Sequence, residues 1–322
     1  MISKNDKIFL AGHNGMVGSS VLRYLKNKNY KKLLIANRKK LDLTLFNEVN
    51  YFLKKKKPKM IIICAAKVGG IKVNNEKPAE FYYNNISIQN NLIHSAFLNG
   101  IKKIIFLGSS CIYPKNSRQP IEEESLLKGE LEATNEAYAI AKIAGVKMCE
   151  FYNRQYKKSH NLDYRSLMPT NLFGYGDNYD LNSSHVIPAL IKKIHEAKVF
   201  KKKSVEIWGT GRAKRDFLFV DDLAVVIEQV MKVSKNKFFL KNYNFKHMNI
   251  GSDQEISIKV LVKLLCKIIG YKNKINYNTK MPDGTLKKLL EVKKLKKIIK
   301  FRRTDFEEAL RLTYLDFLKS LK

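Results

Sequence analysis

Gly12-His13-Asn14-Gly15-Met16-Val17-Gly18 follows directly on the apolar run Lys7 to Ala11 and leads into a helical pattern from Ser19 to Asn27. An apolar strand, glycines spaced GxxGxxG and a helix are the parts of a phosphate-binding turn. Gly12 permits the tight turn, Gly15 lets backbone approach a pyrophosphate, and Gly18 lets the helix pack closely on the strand. The helix N-terminus then offers its unpaired N–H groups to the anion. Three glycines alone would predict no more than a turn. Set between a strand and a helix, they predict a dinucleotide site.

Further apolar runs recur at Lys32 to Asn37, Met60 to Ala65, Lys103 to Gly108 and Asp163 to Met168, separated by helix-length amphipathic segments. That alternation predicts βαβ units, hence an α/β chain built on a Rossmann-type, doubly wound parallel sheet. The later half is less regular. Ser184 to Ala197, Val220 to Val233 and Ile258 to Ile269 have helical periodicity, and Ser204 to Trp208 and Met248 to Gly251 read as short strands. The expected organisation is a nucleotide-binding domain over 1–172, to which the chain returns around 218–234. A smaller C-terminal substrate-binding domain over 173–322 follows, with an interleaved boundary. Asp221 and Asp222 are expected to cap the helix that begins beside them.

The end of the second strand selects the dinucleotide. A carboxylate there would bind a ribose 2′-OH and repel a 2′-phosphate, whereas this chain has Asn37-Arg38-Lys39-Lys40. A guanidinium fork can grip a phosphate, which favours NADP(H). The bland alternative makes Arg38 one more surface cation.

Surface cations are abundant: 61 Lys and Arg against 29 Asp and Glu give a net charge of +32 over 322 residues. The lysines fall in short runs (Lys54 to Lys57, Lys201 to Lys203, Lys293 to Lys300), with no RNA-binding aromatic motif or zinc-finger spacing. They read as solvated surface and not as a nucleic-acid interface, although the field suits a polyanion such as a nucleotide sugar. Hydrophobic content of 45% and aromatic content of 11% suffice for a packed core. No apolar run is long enough to span a bilayer, and with a polar start from Met1 to Lys7 no signal peptide is expected. Cys64, Cys111, Cys149 and Cys266 are scattered without a CxxC pair, against disulfides and against a metal site. A soluble cytoplasmic protein is expected.

Tyr138-Ala139-Ile140-Ala141-Lys142 places a phenol and an ammonium one turn apart on a helix face. The ammonium is expected to pull the phenol below its usual value near 10, making it a proton donor or acceptor at neutral pH. The pair follows Gly108-Ser109-Ser110-Cys111-Ile112-Tyr113-Pro114 at a strand end, the edge where open α/β sheets hold ligands.

With these stretches go Ala65 to Gly70, Asn135 to Gly145, Met168 to Leu172, Ser184 to Ala189, Arg215 to Phe217, Val220 to Asp222 and Pro282 to Thr285. Together, over residues 8 to about 292, they make the chain resemble the extended short-chain dehydrogenases/reductases. Within that superfamily it resembles the GDP-L-fucose synthases, which epimerise C3 and C5 of GDP-4-keto-6-deoxy-D-mannose and reduce C4.

The resemblance implies catalytic roles for five residues. Tyr138 would protonate the C4 oxygen, Lys142 would tune it, and Ser109 would hydrogen-bond the carbonyl. Cys111 would be the base and His185 the acid of epimerisation, residue types that titrate near neutrality when perturbed. NADP(H) contacts are implied for Gly12, Asn14, Gly15, Met16, Val17, Gly18 and Arg38 around the first turn. Others fall at Ala65, Ala66, Leu107, Gly108, Tyr138, Lys142, Pro169, Asn171, Leu172 and His185. Substrate contacts are implied for Ser109, Ser110, Cys111 and Asn171, with Lys193, Trp208, Arg215 and Asp283 on the GDP-sugar. Asn14 and Lys193 depart from the family pattern, which has arginine at both. A homodimer is expected, through the helix carrying Tyr138 and the helical segment Pro78 to Asn99. Two other readings stand: a reductase or epimerase/reductase of a related sugar such as a GDP-4-keto-heptose, and an NADP-binding regulator without catalysis.

Overall fold

The computed structural model describes residues 2–241, 244–281, 283 and 285–321. Met1, and Pro282 and Gly284 of the Pro282 to Thr285 stretch, lie outside the described residues. The first half runs β1 (Ile8–Ala11), α1 (Met16–Asn27), β2 (Leu33–Leu34), α2 (Phe46–Lys56), β3 (Met60–Ile63) and α3 (Ile71–Glu76). It continues with α4 (Pro78–Leu98), β4 (Lys103–Leu107), α5 (Glu136–Gln155) and β5 (Asp163–Pro169). The second half adds β6 (Asn171–Phe173), α6 (Val186–Val199), β7 (Ser204–Trp208), β8 (Lys214–Phe219), α7 (Val220–Lys232), α8 (Lys235–Phe238) and β9 (His247–Ile250). It ends with β10 (Glu255–Ser257), α9 (Ile258–Ile269), β11 (Lys274–Asn278), β12 (Lys287–Lys288), α10 (Lys293–Ile298) and α11 (Phe306–Ser320).

Six strands form one parallel sheet in the order β2-β1-β3-β4-β5-β9. Every residue of β1 and β3 is buried, as expected of strands covered by helices on both faces. The strand order reverses between β1 and β3, so the loops leaving their carboxyl ends diverge there and open a crevice. β2 is shorter than the apolar run Lys32 to Asn37 implied. It is an edge strand, and Asn37 turns the chain out of the ladder by accepting the Lys40 N–H at both its carbonyl and Oδ1.

The later strands, apart from β9, form two smaller sheets. β8 pairs with β6 and β12 in parallel and with β10 antiparallel, and β7 pairs with β11. The side chains of β8 alternate: Leu218 enters the core of the six-stranded sheet, while Phe217 and Phe219 enter a second apolar cluster. That cluster includes Ile191, Leu261, Leu265 and Phe317. β9 returns to the large sheet beside β5, and α7 packs on α1.

Asp221 and Asp222 are not caps. The N-cap position of α7 is Phe219, and the two carboxylates lie in its first turn. Asp221 accepts from Ser20 Oγ at 2.6 Å and pairs with Arg23, tying α7 to α1. Asp222 accepts from the Thr304 N–H and hydroxyl, tying α7 to the segment before α11.

Beneath the sheet edge, Arg165 Nε and Nη2 bind Asp163 at 2.6 and 2.7 Å, and Nη1 donates to the Val230 carbonyl at 2.6 Å. Both partners are buried. Removing one partner of such a pair strands the other charge. Arg165→Leu is therefore expected to lower unfolding free energy by about 3 to 5 kcal/mol in urea titration. The double variant Asp163→Leu, Arg165→Leu should recover most of the loss.

Candidate active site

The glycine loop after β1 is built from close approaches that no side chain would allow. Gly12 sits at φ +89°, and a Cβ on it would lie 2.5 Å from the Ala65 nitrogen after β3. A Cβ on Gly18 would lie 2.0 Å from the Gly12 carbonyl oxygen, so α1 packs directly on the turn. Gly15 is different: its Cβ would meet nothing nearer than 3.7 Å, and Asn14 and Gly15 are exposed. Gly15 is also the N-cap of α1, with no side-chain cap and no acidic residue in the first turn. The free N–H end of α1, carrying Met16 and Val17, thus faces open space at the strand-order reversal. A dinucleotide pyrophosphate fits this cradle. Ala65, whose nitrogen lies against Gly12, stands on its other side after β3. Arg38 stands exposed beyond β2, with Nε 3.4 Å from Asp42 Oδ2.

Four of the five predicted catalytic residues, Ser109, Cys111, Tyr138 and Lys142, gather beyond β4. Gly108 follows that strand, and a Cβ there would strike Met168. Ser109 then caps a turn of 3-10 helix, its Oγ accepting the Cys111 N–H at 3.2 Å. Ser109 also hydrogen-bonds Tyr138, which faces it from α5. One turn on, Lys142 is 4% exposed and donates to the Leu107 carbonyl at 2.8 Å, its Nζ 5.9 Å from the Tyr138 ring centre. Burial pushes Lys142 down to about 8.

The phenol does not behave as the Tyr-Lys spacing suggested. Loss of hydration, with a smaller contribution from Cys111, pushes Tyr138 well above its usual value, against the opposing Ser109 hydrogen bond. Lys142 is committed to a backbone carbonyl, so Tyr138 stands as a neutral phenol able to donate a proton.

His185 is the N-cap residue of α6, in extended backbone, and its ring makes no capping bond. Its surface is exposed, yet enough protein surrounds it to lower its imidazole below the usual value. The preceding residues are held by the Ala65 to Gly70 loop: Gly70 N–H donates to the Ser183 carbonyl at 2.8 Å, and a Cβ on Gly70 would meet the Ser184 carbonyl. Asn85 of α4 fixes that loop in turn, exchanging two hydrogen bonds with the Lys67 backbone at 2.9 Å each.

The residues expected on the GDP-sugar adjoin one another. Lys193 Nζ lies 5.3 Å above the exposed Trp208 ring. Gly209 follows at φ +78°, where a Cβ would collide with Asp283. Asp283 accepts from Thr210 N–H and Oγ1, both at 2.7 Å, which lowers its carboxyl below the ordinary range. Arg215 of β8 donates to the Thr285 carbonyl and feels the Asp283 charge. Asn171 is placed differently, its amide donating to the Asp216 carbonyl at 2.9 Å. Pro169 ends β5 and Leu172 lies in β6, beside it. Ser110 is buried in the turn.

Two residues at this site carried no assigned role in the sequence. Asn135 Nδ2 stands 3.7 Å and Lys288 Nζ 3.9 Å from Cys111 Sγ. Asn135 falls in a matched stretch three residues before Tyr138. Lys288 has no such signal, because only the pairing of β12 with β8 brings it in.

Known proteins match this arrangement. The sequence pattern of the NAD dependent epimerase/dehydratase family matches residues 8–251. A GDP-L-fucose synthase of Sinorhizobium fredii is 46% identical over 98% of this chain and 96% of its own length. That of Escherichia coli K12 is 43% identical over 98% and 97%. Among solved structures, a GDP-D-glycero-L-gluco-heptose synthase from Campylobacter jejuni, crystallised in the presence of NADPH, superposes with a TM-score of 0.91 at 32% identity, covering 99% of this chain and 100% of that one. With its glycine cradle, its Tyr138–Lys142 pair and near-full-length identities of 43% and 46%, the chain belongs to the NAD dependent epimerase/dehydratase family and, within it, to the GDP-L-fucose synthases.

Proposed function

We propose that this chain converts GDP-4-keto-6-deoxy-D-mannose to GDP-L-fucose by epimerisation at C3 and C5 and reduction at C4, and that it works in the cytoplasm as a homodimer. The observation that carries the reading is the convergence of Ser109, Cys111, Tyr138 and Lys142 beside the glycine cradle. Gly12, Gly15 and the N–H end of α1 would hold NADPH, which when bound would supply the hydride. Ser109 hydrogen-bonds the C4 oxygen, Tyr138 protonates it as negative charge develops, and Lys142 supports the phenol and holds the nicotinamide ribose.

Both C3 and C5 lie α to the ketone, so removal of either proton leaves an enolate stabilised at the same oxygen. Cys111 takes that proton, and His185 returns one to the opposite face. Lys193 and Arg215 hold the diphosphate, and Trp208 packs on the sugar or nucleotide. The similarity to a heptose synthase supports a second substrate, a GDP-4-keto-heptose, differing in the group carried on C5. The dimer reading is supported by α4 and α5, which pack side by side and leave Ile140 and Phe151 exposed on one face of α5.

The deciding experiment combines protein, NADPH and GDP-4-keto-6-deoxy-D-mannose in D2O with NMR of the product. GDP-L-fucose deuterated at C3 and C5 is expected. A reduced sugar without that label overturns the epimerase assignment, and turnover of the heptose substrate alone selects the second reading. Cys111→Ser and His185→Gln should suppress labelling. Tyr138→Phe should slow reduction by about 100-fold or more while exchange continues.

Arg38→Ala should weaken NADPH binding by about tenfold or more and leave NADH unchanged, read by fluorescence titration. Lys142 gives a test without ligand. Its buried ammonium is disfavoured in the folded state, so the penalty is full below about pH 8 and fades as the folded protein loses the proton between about 8 and 10.5. Lys142→Met should therefore stabilise the unliganded protein at pH 7, with a gain that shrinks across that interval in urea titrations.

A further inference from the structure

We propose that Lys288 is a positioning residue for the proton transfer at Cys111: its ammonium holds the sulfur in the thiolate form, aimed into the substrate cleft. This rests on the reading of Cys111 as the base.

The sulfur has two donors and neither is local in sequence. Asn135 Nδ2 approaches from the turn before α5 at 3.7 Å, and Lys288 Nζ from β12 at 3.9 Å. The Cys111 backbone is itself fixed by the bond from its N–H to Ser109 Oγ. Two donors converging on one sulfur, one of them charged, suit an anion better than a neutral thiol. Two titratable groups meet this sulfur, Tyr138 from α5 and Lys288 from β12, and Tyr138 is held neutral by burial. Lys288 thus supplies the positive charge.

Its placement is built into the chain. Lys287 and Lys288 pair with Lys214 and Arg215 of β8, and strand alternation sends the two lysines to opposite faces. Lys287 reaches Glu255, its Nζ 2.8 Å from Oε2, whereas Lys288 reaches Cys111. The residues after β12 are stitched to the segment that follows the catalytic turn: Leu289 N–H to Gln119 Oε1, Ile121 N–H to the Leu289 carbonyl, and Glu291 N–H to the Ile121 carbonyl. In the reaction, the C–H bond α to the ketone breaks, an S–H bond forms, and the electron pair moves onto the C4 oxygen. The ammonium favours the state of the sulfur that can begin this step.

The test alkylates ligand-free protein with iodoacetamide across pH and reads the Cys111 peptide by mass spectrometry. Cys64 and Cys149 do not compete, since burial pushes both thiols up to about 12. Lys288→Met should move the midpoint of Cys111 alkylation upward by about one pH unit or more, a tenfold slowing below both midpoints. Lys288→Arg should restore most of the shift, and Lys287→Met should leave the midpoint in place. An unmoved midpoint in Lys288→Met overturns the proposal, as does an equal shift in Lys287→Met, which would mean a general field of surface charge. Deuterium exchange into the substrate should follow the same midpoints. A shifted midpoint in a protein that exchanges no substrate proton would support the Lys288–Cys111 coupling and overturn the substrate reading alone.

Discussion

The site depends on two backbone approaches that only glycine permits. The Gly12 carbonyl occupies the space where a Gly18 side chain would begin, and the Ala65 nitrogen occupies that of Gly12. α1 can therefore lie close against β1 and β3, and its free N–H end points into the crevice where the strand order reverses. A methyl group on Gly18 would push the helix away from the turn, and one on Gly12 would push the turn away from the backbone that follows β3. The cradle, the direction of α1 and the docking of α7 through Ser20, Arg23 and Asp221 all follow from that proximity.

Around this frame, the chemistry is set largely by removal of water. Lys142 loses hydration and drops to about 8, while Tyr138 loses hydration and stays neutral. Opposite shifts in neighbouring groups leave an uncharged acid beside an ammonium that can give up its charge near neutrality. In a chain with net charge +32, composition cannot separate a working lysine from a solvating one. Burial at Lys142 and contact with Cys111 at Lys288 make the separation.

What could be read beforehand was what is local. The glycine turn, the Tyr138 to Lys142 pair and the apolar runs carry their meaning within a few residues, and the parallel sheet and family followed from them. α9 begins and ends where its periodicity implied, at Ile258 and Ile269, with Ser257 capping it and Gly270 in the left-handed conformation that ends it. What failed to be read depends on partners distant in sequence. Asp221 and Asp222 resemble caps until Ser20, Arg23 and Thr304 arrive from elsewhere to bind them. The phenol shift is not legible because spacing gives proximity but not the burial that raises the phenol, nor the Leu107 carbonyl that engages the lysine. Lys288 was invisible because a two-residue strand has no periodicity to detect.

The alternation along β8 reaches beyond the site. Leu218 is part of one apolar core and Phe217 and Phe219 of the other, and in the paired strand β6 Leu172 and Phe173 divide in the same way, so these strands are the common wall of both. Melting either core strips one face of that wall and exposes the neighbouring residues of the other. The two apolar cores are therefore coupled through shared strand residues, so that disorder in one uncovers part of the other.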